Sequence, residues 1–129
     1  MRALLDTSVF LRMALDPDSL RLEALEVIEN EGVELLLSAA SAWEIAIKTS
    51  VGKLELPAEP ERFVPERMES MYVDPLPVLQ THALAVVSLP ILHRDPFDRL
   101  LVAQARVEGI PVISRYPLLA AYDVEIIPA

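Results

Sequence analysis

Short apolar runs of strand length alternate with helix-period segments along this chain, and that alternation predicts the α/β class: a central parallel sheet with helices on both faces. Two further observations agree. The run Arg2–Leu5 carries no charge after Arg2 and stops at Asp6, as a buried strand does where it meets solvent. Pro96 and Gly109 bracket an apolar-striped segment in the positions proline and glycine take at the two ends of a helix.

In chain order, Arg2–Leu5 reads as the first strand, and Thr7 or Ser8 as the cap of a helix near Val9–Leu15. Asp16-Pro17-Asp18 is a turn. Leu22, Leu25 and Ile28 recur at helical spacing through Asn30, with Gly32 as the stop. Val33–Leu37 is a second strand. Ser38 or Ser41 opens a helix carrying Trp43, Ile45, Ala46 and Ile47 that ends near Gly52. Leu54–Pro60 is a proline-containing connection, and Arg62–Ser70 is helical. Tyr72–Val78 is an edge strand, because Pro75 and Pro77 cannot donate to a ladder on both sides. Thr81–Leu89 is a short helix. The segment from Pro96 to Glu108 is a longer one, followed by a strand at Pro111–Ser114, a short helix at Leu118–Tyr122 and a last strand at Val124–Ile127.

The chain has 129 residues, which is one domain spanning 1–129. It holds no cysteine, so disulfides and thiolate metal sites are excluded, in keeping with a reducing cytoplasmic setting. Its longest apolar stretch, Ala83–Leu92, is broken by Ser88 and Pro90 and falls far short of the ~20 residues a membrane helix needs. No membrane role is expected. A hydrophobic fraction of 53% with only 24% charged residues predicts apolar surface buried against a partner or a second copy.

A net charge of −9 argues against gripping nucleic acid by charge alone. It remains compatible with a cluster of carboxylates that bind divalent cations and so meet phosphate through metal. Asp6, beyond the first strand, points toward the crevice where open parallel sheets bind ligands, and reads equally as a helix N-cap acid. Glu44 sits in an apolar helix, where a buried acid must be paired or metal-bound; Lys48, four residues on, offers the plain pairing. Asp95 is a natural cap before Pro96, and Asp98 suits the first helical turn. Spacing alone does not bring Asp6, Glu44 and Asp98 together. His82 and His93 lie in no metal-ligand spacing, no nucleophile elbow is present, and three glycines leave no phosphate loop. Trp43 reads as core.

The blocks MRALLDTSVFL, SAASAWEIAIKTSVGKLELP, HRDPFDRLLVAQARVEGIPVIS and LLAAYDVEII together resemble the VapC-type PIN-domain toxins over nearly the whole chain. The resemblance implies a PIN-like parallel α/β fold and an endoribonuclease using Mg²⁺, or Mn²⁺, held by Asp6, Glu44 and Asp98. It implies that Asp95 orients ligands and that Thr7 and Ser114 border the site. It also implies an RNA substrate (tRNA or another translation RNA), a small cognate antitoxin and a homodimer or higher homo-oligomer. Arg94, Arg99, Arg115 and Lys48 are the expected backbone contacts. One position departs from the family pattern. Tyr116 stands where relatives carry a fourth acid, with Asp95 or Asp123 as possible substitutes. That departure leaves open a PIN fold that binds RNA or protein without cutting it.

Overall fold

The computed structural model describes residues 1–129. Five parallel strands form one sheet in the order β3-β2-β1-β4-β5: β1 (Arg2–Leu5), β2 (Glu34–Ser38), β3 (Val73–Leu76), β4 (Val112–Ser114) and β5 (Ile126–Pro128). The helices are α1 (Thr7–Leu15), α2 (Leu22–Glu29), α3 (Ala39–Ser50), α4 (Pro60–Ser70), α5 (Gln80–Ala85) and α6 (Pro96–Glu108), with 3-10 turns at Pro17–Ser19, Val86–Ser88 and Pro117–Tyr122. No helix is long and apolar enough to cross a membrane.

Alternation along β1 and β2 explains why both faces are covered. Ala3, Leu5, Leu35 and Leu37 point to one face, where Val9 and Phe10 of α1, Ala24 of α2, Ile45 of α3 and Phe63 of α4 pack on them. Leu4 and Leu36 point to the other and meet Leu101 and Ala105 of α6. Burying such a side chain contributes roughly 1.5–3 kcal/mol, so a one-residue slip in β1 would be strongly resisted.

The expected elements are present, with local differences. The cap of α1 is Asp6 rather than Thr7 or Ser8; its Oδ1 accepts from the Val9 amide at 2.8 Å. Asn30, not Gly32, closes α2. Ser38 caps α3, accepting from the Ala40 amide. The expected helix at Thr81–Leu89 tightens into 3-10 after Ala85, and Leu118–Tyr122 is 3-10 throughout. Gly109 closes α6 with φ 67°, a left-handed conformation that suits glycine. Trp43 is not core. It is 61% exposed and packs edge-on against Phe97, with ring centres 5.3 Å apart.

The strand order places the chain reversal at β1. From β1 the chain steps outward to β2 and β3, then returns to the other side of β1 for β4 and β5. The crevice of such a sheet opens beyond the carboxyl ends of β1 and β4. Asp6 follows β1, and Ser114 ends β4.

Candidate active site

One cleft of about 350 Å³ lies at that edge, and Asp6, Glu44, Asp95 and Asp98 all line it. Each is delivered by a different local device. Asp6 is fixed by capping α1. Glu44 is carried in by the buried side of α3, beside Ile45, which is core. Asp98 stands in the first turn of α6, whose start is set by Asp95; the Asp95 Oδ1 accepts from the amides of Phe97 and Asp98. The Trp43–Phe97 contact joins α3 to α6 through residues that each neighbour an acid in sequence.

These carboxylates are buried without full pairing. Asp6 is 1% exposed, and its Oδ2 has no hydrogen-bond partner. Burial pushes the Asp6 carboxyl up to about 6; the Ser114 hydroxyl and Val9 amide oppose the rise, and the charges of Asp98 and Glu44 add to it. Asp98 is also raised, mainly by burial, with the contact to His93 opposing. Glu44 Oε2 takes the Lys48 ammonium at 2.6 Å, the i,i+4 pair expected from sequence, while its Oε1 is buried and unpartnered. That contact holds the Lys48 pKa above its ordinary value. Such orphaned oxygens carry a desolvation cost of about 1–3 kcal/mol each. A divalent cation removes that cost, and an all-oxygen donor set is the kind Mg²⁺ and Mn²⁺ prefer. The donor types present fit such an ion, but the ligand atoms that come within 4.8 Å of one another belong to His93, Asp95 and Asp98; Asp6 and Glu44 share the cleft without joining that close group.

Around the acids, Thr7 lines the cleft and donates to Ser41 Oγ at 2.9 Å. Ser114 is buried below it and accepts from the Tyr116 amide. Tyr116 lines the cleft, as do Arg115 and Lys48. Arg94 and Arg99 do not. The Arg99 guanidinium is turned to the carbonyl of Pro90 at 2.9 Å and to those of Val86 and Leu89, tying down the segment before α6. Asp123 lies on a separate groove with Arg106 and Gly109, so among the two substitutes for a fourth acid only Asp95 reaches the cleft.

Three residues escaped the sequence reading. His93 Nε2 sits 2.8 Å from Asp98 Oδ2, and single ligand atoms of His93, Asp95 and Asp98 lie within 4.8 Å of one another. Its loop is anchored by the Tyr122 hydroxyl, which accepts from the His93 amide at 2.6 Å. Arg12 and Lys53 line the cleft from α1 and from the connection after α3. Arg12 did leave a signal, being the one charged residue in the segment Thr7–Leu15.

Comparisons with known proteins place the family and the fold. Residues 3–117 match the PIN domain family. Ribonuclease VapC16 of Mycobacterium tuberculosis is 42% identical over 60 residues, which are 46% of this chain and 43% of that relative, so the match spans less than half of the curated protein's length. Among solved structures, a VapBC2 complex from Rickettsia felis bound to a promoter DNA fragment superposes with TM-score 0.71 at 11% identity, covering 98% of this chain and 97% of that one. VapBC-1 from nontypeable Haemophilus influenzae gives 0.65 at 17% identity over 99% and 98%. FitAcB from Neisseria gonorrhoeae gives 0.62 at 19% identity over 97% and 96%. At these identities the structural matches establish the fold. With the family match running over most of its length and the acids of three elements meeting at one cleft, the chain belongs to the PIN-domain family.

Proposed function

We propose that this chain is a divalent-metal-dependent endoribonuclease, the toxin half of a VapBC-type pair, cutting structured RNA such as tRNA in the cytoplasm. The observation that carries the reading is the pair of buried, unpartnered oxygens on Asp6 and Glu44 in the cleft that Asp98 shares. Asp6 and Asp98 would hold the Mg²⁺ or Mn²⁺ ion, directly or through its waters. Bound there, the ion supplies charge neutralisation at the scissile phosphate and favours in-line attack by water. Glu44 completes the acid set and orients water through the oxygen that Lys48 leaves free. Thr7 and Ser114 hold the cleft floor through their hydroxyls, and Asp95 keeps the first turn of α6, and so Asp98, in place.

Two partners belong to the same reading. Exposed Trp43 and Ile47 on α3, with Val51 just past its end, recur at helical spacing and suit a self-association face, giving a homodimer or higher oligomer. A small antitoxin that placed an arginine against the acids would block the metal and pair the buried carboxylates at once.

Tyr116 supports a second reading. It lines the cleft where the family pattern has a fourth acid, and a neutral phenol is a poor ligand for a hard metal. Under that reading the chain binds RNA or protein without cutting. Incubation of total RNA with Mg²⁺ and with Mn²⁺, beside an Asp6→Asn control, separates the two. Metal-dependent fragments lost in the control support the nuclease. Intact RNA under both metals rejects it.

A further inference from the structure

The cleft does not share the charge of the rest of the molecule. Four acids line it, and so do four cations, Arg12, Lys48, Lys53 and Arg115. The formal charge of the cleft is therefore zero with all eight ionised, and the entire −9 of the chain lies outside it. One bound divalent ion turns the cleft positive, which favours a polyanion there over the net-acidic remainder of the chain. Lys48 is taken by Glu44. The side chains of the other three cations make no ion pair, and Lys53 and Arg115 are exposed.

Arg12 is the most constrained of them. Its Nε donates to Ser19 Oγ at 2.9 Å and its Nη2 to the Ser19 carbonyl, so one edge of the guanidinium is fixed by the 3-10 turn after α1. Nη1 is buried and has no acceptor. The guanidinium is thus held in place at the wall of the cleft with its charge unpaired, and a fixed guanidinium suits an anionic oxygen.

We infer that Arg12, Lys53 and Arg115 form a phosphate subsite for the RNA strand, next to the acids and separate from the metal position, with Arg12 as its anchor. This rests on the nuclease reading for the identity of the strand, and its chemistry is recognition of a phosphodiester by charge and guanidinium hydrogen bonds, without base contacts. It gives a net-acidic protein a local set of cations with which to hold a polyanionic substrate. It also means that sequence preference does not arise from these three residues.

The test is binding of a labelled single-stranded RNA oligonucleotide across a salt series, with Ca²⁺ in place of Mg²⁺, together with kcat and KM for cleavage in Mg²⁺. Removing one cation that neutralises a phosphate lowers the slope of log affinity against log salt by about 0.7. Arg12→Gln is expected to show that fall, with affinity down about tenfold, KM raised and kcat nearly unchanged. Arg12→Lys should keep the slope and lose part of the affinity. Ser19→Ala removes a support of the turn without removing charge, and its slope should stay at the unmodified value. Lys53→Gln, on an exposed side chain, should lower the slope like Arg12→Gln and covers the case in which Arg12→Gln does not fold. Unchanged slopes in both Arg12→Gln and Lys53→Gln overturn the subsite while cleavage by the unmodified chain upholds the nuclease. RNA bound with these slope changes but never cut upholds the subsite and rejects the nuclease. Failure of the unmodified chain to bind RNA, or recovery of Arg12 dependence only with an acidic protein partner, overturns the subsite.

Discussion

The two edges of the sheet treat charge in opposite ways. At the amino edge, Arg2 opens β1 and meets Glu108, the last residue of α6, at 3.2 Å. Glu108 also accepts from His82 Nε2 at 3.1 Å, and His82, buried, takes the Leu79 amide on its Nδ1. Every member has a partner, and the contacts to His82 and then Arg2 hold the Glu108 carboxyl below its ordinary value. At the carboxyl edge, Asp6 and Asp98 are pushed the other way by burial, and oxygens of Asp6 and Glu44 go unpaired. Paired charge ties α5, α6 and β1 together. The oxygens left unpaired at the crevice cost stability in the folded chain and are available for what they can bind.

The largest expected effect breaks this contrast. Asp98→Asn should lower RNA cleavage on the order of a hundred- to a thousandfold, the scale seen when one group that stabilises developing charge is removed. Glu108→Gln should leave cleavage unchanged and lower the melting temperature. Equal losses of cleavage in both would erase the distinction between the edges.

A smaller effect concerns pH. The folded pKa of Asp6, about 6, lies above its ordinary 3.8. Its contribution to stability is therefore fully present below about pH 4 and is lost as pH rises through 6, a cost of up to about 3 kcal/mol in the metal-free chain. Glu108 has the opposite sign: its contribution is present above its ordinary 4.5 and is lost as pH falls through its lowered folded value. Denaturant melts of metal-free protein between pH 4 and 8 should show Asp6→Asn gaining stability over the unmodified chain at the alkaline end. The asparagine can still cap α1. No gain there would mean that Asp6 is not strained by burial.

His93 sharpens the comparison within the carboxyl edge. Removing its hydrogen bond to Asp98 with His93→Ala should cost about tenfold in metal affinity, the lower end for groups that orient a ligand. Titration calorimetry with Mn²⁺ reads this without relying on activity. The smallest effect is at Tyr116. Tyr116→Asp adds a carboxylate to the cleft and should raise Mg²⁺ affinity and cleavage several-fold. Unchanged affinity with slower cleavage would instead make Tyr116 a substrate contact.

Much of the fold was legible in sequence because it rests on local signals. The apolar run at Leu4–Leu5, the Pro96 start and the Gly109 stop each act within a few residues. The boundaries that shifted did so where a side chain chose between two local roles: Asp6, readable as a crevice acid or as an N-cap, is the cap that Thr7 or Ser8 was also expected to supply. Trp43 lies at the surface against Phe97, which comes from a helix more than fifty residues later, so no local signal marks the contact. The site was legible through resemblance, not spacing. Asp6, Glu44 and Asp98 meet only through the order of the strands, and no periodicity encodes that order. Arg99 misled because cations near an acidic motif look alike in sequence, while its guanidinium is committed to carbonyls of the preceding segment. His93 was passed over because its partner is five residues away, across a loop-to-helix junction held by Tyr122.

The central claim, that the carboxyl-edge acids are held without full pairing for a divalent cation, is tested most directly by thermal unfolding at pH 7.5 across a Mg²⁺ and Mn²⁺ titration, comparing the unmodified chain with Asp6→Asn. The account predicts a melting temperature that climbs with metal concentration in the unmodified chain, as ligand binding to the folded state requires. In Asp6→Asn it predicts a higher metal-free starting value and little or no climb. Curves that do not move with metal, or that move equally in both proteins, would contradict it.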